Sequence, residues 1–172
     1  MRPGLTAAVA ALFVVLLAWQ HLHGGVPAHH LLAQESLPAV SNWWGLPALP
    51  ALTWIALGRI DRRVMSSANA SLSTRNALTG FVLALLFGAL LSLFFATGKT
   101  GLTEAMLPVL ALIALAYPIY RAECFLGFVI GMTITFGPIL PMLAGSMFDM
   151  AGALLFHVPR LLVGQFGLRP PR

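Results

Sequence analysis

Cys124–Ala144 reads CFLGFVIGMTITFGPILPMLA, and no charged residue interrupts it. As a helix it would rise about 31 Å at ~1.5 Å per residue, the thickness of a bilayer's hydrocarbon core. A water-soluble domain has no use for such a run, so this stretch predicts a membrane span. Runs of the same kind fill the rest of the chain. Of the 172 residues, 59% are hydrophobic and only 9% charged, against about 25% charged in soluble domains. Lipid must therefore solvate most of the surface. The chain reads as a single all-α domain, 1–172, a polytopic helical bundle of about six transmembrane helices.

The expected spans are 5–20, 43–58, 76–96, 105–120, 124–144 and 147–166. The first begins with Arg2 and an apolar run as a secretory signal does, but Trp19, Gln20 and His21 stand where a small-residue cleavage site belongs. It is read as a retained span. Between the first two spans lies a loop, 21–42, that holds four of the five histidines and no Lys or Arg. Trp43 and Trp44 then mark a membrane interface. A polar, basic loop is expected over 59–75, and Gly145-Ser146 is expected to turn the fifth span into the sixth.

Arginine and lysine placement sets the orientation. With six spans, Arg2, Arg59, Arg62, Arg63, Arg75, Arg121, Arg169 and Arg172 gather on one side and only Lys99 on the other. Both termini are thus expected in the cytoplasm, with the histidine loop facing outward, in the inner (plasma) membrane of a bacterium. A sixth segment that merely lay on the membrane would leave Arg169 and Arg172 outside. The net charge of +5 serves topology, since no basic stripe with interleaved aromatics marks a nucleic-acid surface. Proline pairs at Pro47/Pro50 and Pro138/Pro141 raise the question of an inverted repeat. Both pairs fall on the outward half, which inversion forbids.

Four constellations could carry chemistry. His21, His23, His29 and His30, joined by Asp149 at the same expected outer level, form a candidate metal set. Imidazole with thioether from Met142, Met147 and Met150 would favour copper, and imidazole with carboxylate would favour zinc. In a helix His21 and His23 would point about 200° apart and could not share an ion; in an extended segment they could. No zinc-type ligand spacing is present, and interfacial histidines capping helix ends are the plainer reading. Second, Asp149, Phe156, His157 and Arg160 lie within about 100° on one helical face. Ionisable groups inside a membrane mark functional sites by default, and His157 at mid-depth could pass protons between the other two. Third, Arg121 and Glu123 border the fifth span at its inner end, where a carboxylate suits the helix N-terminus and Arg121 can bond nearby headgroups or neutralise it; a well-ordered inner hairpin is the plainer reading over a substrate site. Fourth, Gly127, Gly131 and Gly145 form a small-residue stripe suited to close packing, within the chain or in a dimer.

No GxSxG, HExxH, Walker or dinucleotide motif occurs, and Ser36, Ser41 and Ser92 have no evident base nearby. The first expectation for function is a membrane-embedded subunit or scaffold that acts by association, with the bilayer and a second copy or another membrane protein as partners. The second is metal-ion or small-solute handling at the outward His/Asp/Met site. The third is a metal-dependent hydrolase of lipid with Glu35, Asp149 or Glu104 as base.

Overall fold

The computed structural model describes residues 2–30 and 39–165. Six helices follow one another: α1 (Arg2–Leu22), α2 (Gly45–Met65), α3 (Ala70–Ala96), α4 (Thr100–Ala116), α5 (Ala122–Phe136) and α6 (Ile139–Gln165). Between α1 and α2 a short antiparallel ladder pairs β1 (Ala28–His30) with β2 (Ala39–Ser41), Ala28 opposite Ser41. The chain is thus all-α apart from this ribbon. Three helices, α1, α3 and α6 through Val158, are long and apolar enough to cross a membrane, and α4 and α5 are shorter apolar helices of 17 and 15 residues.

The helix that organises the others is α5. Val129 at its middle is fully buried, and Leu126, Phe128 and Met132 are nearly so. Its glycines explain how α3 comes so near. A Cβ on Gly127 would strike the carbonyl oxygen of Phe81, and one on Gly131 that of Leu85. From the other side, a Cβ on Gly88 would lie 2.7 Å from the Phe128 carbonyl oxygen. The two backbones run parallel and touch directly, so dispersion contacts replace the hydrophobic drive that lipid cannot supply. The Gly127/Gly131 stripe is therefore occupied within the chain. On the opposite flank, Val129 joins Phe13 and Leu17 of α1 and Leu49 of α2 in one core cluster. Buried hydroxyls at Thr53 and Thr133 donate to the carbonyls of Leu49 and Val129, at 2.8 and 2.7 Å, and so carry no unmet bond.

Three expected boundaries are corrected. The Cys124–Ala144 stretch is not one span: α5 ends at Phe136, and Gly137 takes φ +66°. Such a φ suits only glycine, and the Asn42 side chain fills the space a Cβ would need. Pro138 follows, lacking an N–H to continue the helix. Gly145-Ser146 in turn lies inside α6. Ser146 Oγ donates to the Met142 carbonyl, 2.7 Å away, and Gly145 packs against the Phe125 ring. The basic loop expected over 59–75 is also shorter, because α2 runs to Met65. Arg62 and Arg63 sit in its last turn, where cations oppose the negative end of the helix dipole. Asn69 then caps α3, its Oδ1 accepting from Leu72 N at 3.0 Å.

Arg2 donates to the Trp54 carbonyl at 2.8 Å and lies over the indole, next to Gly58. One end of the bundle, the arginine end, therefore holds Arg2, Arg59, Arg62 and Arg63. The other, the histidine end, holds His21, His23 and Asn42. Asn42, 3% exposed, donates to Gln20 Oε1 at 3.4 Å and ties α1 to the α5–α6 turn.

Replacing Gly127 by Leu would force α3 and α5 apart at the backbone. Overpacking of this kind costs about 1–3 kcal/mol or more. We expect Gly127→Leu to lower the thermal midpoint in detergent markedly, whereas Gly101→Leu, with open space around it, should change it little.

Candidate functional site

The α4–α5 hairpin, Tyr117–Arg121, builds the floor of the arginine end. Tyr117 N–H closes α4 on the Ile113 carbonyl at 2.7 Å, and extended Arg121 opens α5. Glu123 follows in the first turn, 1% exposed. An unpaired carboxylate there would be prohibitive. Arg63 of α2 reaches it through a two-pronged contact, Nη2 to Oε1 at 2.7 Å and Nη1 to Oε2 at 3.0 Å. The expectation that Arg121 neutralises Glu123 is corrected: the partner is 60 residues away in sequence. Gly80 of α3 makes room for the cluster. A Cβ there would lie 2.8 Å from Tyr117 Oη and 3.2 Å from both Cys124 Sγ and Glu123 Cγ.

Beside this cluster a crevice of about 550 Å³ enters the bundle. Its walls are apolar: Leu83, Ala84 and Phe87 from α3, Leu110 and Ile113 from α4, Phe125 and Phe128 from α5, and Phe148 from α6. Polar atoms meet it at the arginine end, from Tyr117, Cys124 and Asp149. The other wall residues being uncharged, Asp149 is the one charged side chain lining it. No hydrogen bond or ion pair joins Asp149 to another of the described residues. Leu83, Leu86 and Leu90, on the same wall, are exposed on the outside of α3, so the crevice opens sideways.

Of the residues expected to form a metal set, His21 and His23 lie at the histidine end and Asp149 does not. His21 and His23 stay on the helical path of α1, and His23 stacks on Trp19, its Nδ1 2.9 Å from the Trp19 carbonyl. The backbones of His29 and His30 lie in β1, opposite Val40 and Ala39. Glu35 lies outside the described residues. Asp149 is at the opposite end, beside Cys124. The early break at Gly137 is the reason: Asp149 and Cys124 lie almost equally far from it along α6 and α5, about 18–20 Å at ~1.5 Å per residue. Among the described residues no group of three His, Cys, Asp or Glu could hold an ion.

His157 and Arg160 are placed lower than expected as well. His157 is exposed and packs beside Tyr120, ring centres 5.3 Å apart, at the hairpin rather than at mid-depth. Arg160 folds over the Phe156 ring and donates to the carbonyls of Phe156 and Leu115. Its partners are backbone groups, and no relay to Asp149 is formed. In the sequence Arg63 reads only as a topology-setting cation and Gly80 as a small contact point, and neither the Arg63–Glu123 pair nor the crevice is legible there. Only Gly80, recognisable as a small residue in an apolar span, left a trace of what it does.

Comparison of the chain with known protein families, with curated proteins and with solved structures finds no match.

Removing one partner of a buried pair strands the other. We expect Arg63→Met to destabilise the protein by about 3–5 kcal/mol, read from unfolding in detergent. The double variant Arg63→Met/Glu123→Leu should recover most of that loss, since an apolar pair of similar volume leaves no buried charge.

Proposed function

We propose that this chain is a six-span protein of a bacterial inner membrane that holds a long-chain lipid in the crevice between α3, α4, α5 and α6. The single observation that carries this reading is the crevice's shape and lining. It is apolar along its length, polar at the arginine end only, and opens sideways where lipid would stand. Its volume of about 550 Å³ lies within the ~300–1,000 Å³ typical of small-molecule sites. A chain entering it would replace lipid contacts by protein contacts, with the head left at the level of Tyr117 and Asp149.

The topology supports the same picture. The arginine end gathers Arg2, Arg59, Arg62, Arg63 and, at the hairpin, Arg121, and by the positive-inside bias it faces the cytoplasm. Trp43 and Trp44, exposed at the opposite end, suit the outer interface. The bound lipid would then belong to the cytoplasmic leaflet. Association with other membrane proteins, as a subunit, would use the lipid-facing surfaces of α1 and α4, because the glycine stripe is already engaged.

The test is native mass spectrometry of the protein released from mild detergent. Wild type is expected to retain about one lipid per chain. Leu110→Trp, which fills the crevice from α4, should lower retention several-fold without lowering the thermal midpoint. Equal retention by the two proteins would show that lipid is held elsewhere.

A further inference from the structure

We propose that Asp149 selects the lipid's head, and that the preferred ligand carries a primary ammonium group. The inference rests on the reading of the crevice as a lipid site. Asp149 stands where the apolar walls end, and among the described residues nothing donates a hydrogen bond to it. A carboxylate at that depth is costly unless a cation meets it. The contrast with Glu123 is instructive. At the same end of the bundle, that carboxylate is closed off by two guanidinium hydrogen bonds, while Asp149 lines the crevice with no such partner among the described residues.

The groups around Asp149 narrow the choice. Arg59 of α2 is exposed and forms no ion pair with it. Cys124 and Tyr117, its companions at the crevice floor, bring no positive charge. A primary ammonium supplies both the missing charge and up to three donors. A quaternary ammonium supplies charge without donors, and a phosphoglycerol head supplies no cation. The expected order of retention is therefore phosphatidylethanolamine, then phosphatidylcholine, then phosphatidylglycerol.

The experiment exchanges full-length protein into mixed micelles holding equal amounts of these three lipids with identical palmitoyl-oleoyl chains, and counts bound lipid by native mass spectrometry. Wild type should retain the ethanolamine lipid over the glycerol lipid on the order of tenfold, the scale of one charge-assisted hydrogen bond. Asp149→Asn, nearly isosteric, should still hold lipid but lose the preference. Arg59→Gln should keep it. Equal retention of all three lipids by wild type would overturn the role of Asp149 and leave the crevice reading standing. An unchanged preference in Asp149→Asn would do the same. Loss of the preference in Arg59→Gln would move the selectivity to that arginine and overturn the proposal. Retention of no lipid by any protein would overturn both readings together.

Discussion

The direct contact between the backbones of α3 and α5 is the constraint on which the rest of the bundle depends. Gly127 and Gly131 let α5 lie against the carbonyls of Phe81 and Leu85, and Gly88 returns the favour at Phe128. With α5 held this close, one side of it is spent on α3 and the other on the Phe13–Leu17–Leu49–Val129 cluster. No lipid reaches its middle. The short length of α5 follows: a helix enclosed by protein need not match the bilayer by itself, because its neighbours do. The pinch also shapes the crevice, since α4 cannot follow α3 into the space that α5 has taken. Ala114 is the one residue of α4 that is buried among those described.

The position of the α5–α6 turn decides which residues of α6 share an end of the bundle with α1 and α5. Were the turn at Gly145-Ser146, Asp149 would stand at the histidine end, near His21 and His23. At Gly137-Pro138 it stands about 18–20 Å away from that end, by a rise of ~1.5 Å per residue, beside Cys124. Eight residues of register thus convert a would-be metal ligand into the floor of an apolar crevice. The device that sets this register is polar and remote. Asn42, buried beneath the ladder, occupies the place a Cβ would need at residue 137 and bonds to Gln20.

How much of this is legible in the sequence depends on whether the cause is local. Apolar runs and the clustering of arginines are local properties, so the membrane class and the arginine end can be read directly. The glycine stripe is legible as a close-packing face, though its partner is not: Gly80 and Gly88 mark α3 as a close-packing helix too, but nothing local in the sequence pairs the two. Gly137-Pro138 and Gly145-Ser146 look alike as breakers. What separates them is Asn42, nearly a hundred positions earlier in the chain, and a hydroxyl of Ser146 that prefers its own helix's carbonyl. The Arg63–Glu123 pair is hidden for the same reason. Arg121 is the nearer cation in sequence, but it sits at the extended start of α5, whereas the last turn of α2 brings the Arg63 fork onto both carboxylate oxygens.

The two carboxylates of the arginine end stand in opposite circumstances, one paired and one unpaired among the described residues. A buried ion pair gives little net stability over an apolar one, because both charges must be stripped of water. Its value at Glu123 is geometric: it fastens α2 to α5 at the level of the hairpin, with Gly80 leaving room for Tyr117 beside it. The same arginine-rich end could have supplied a second guanidinium to Asp149, yet among the described residues none joins it. An unmatched carboxyl at the floor of an apolar crevice stabilises nothing in the folded chain. In the binding role proposed for it, that cost is recovered when a group of complementary charge arrives.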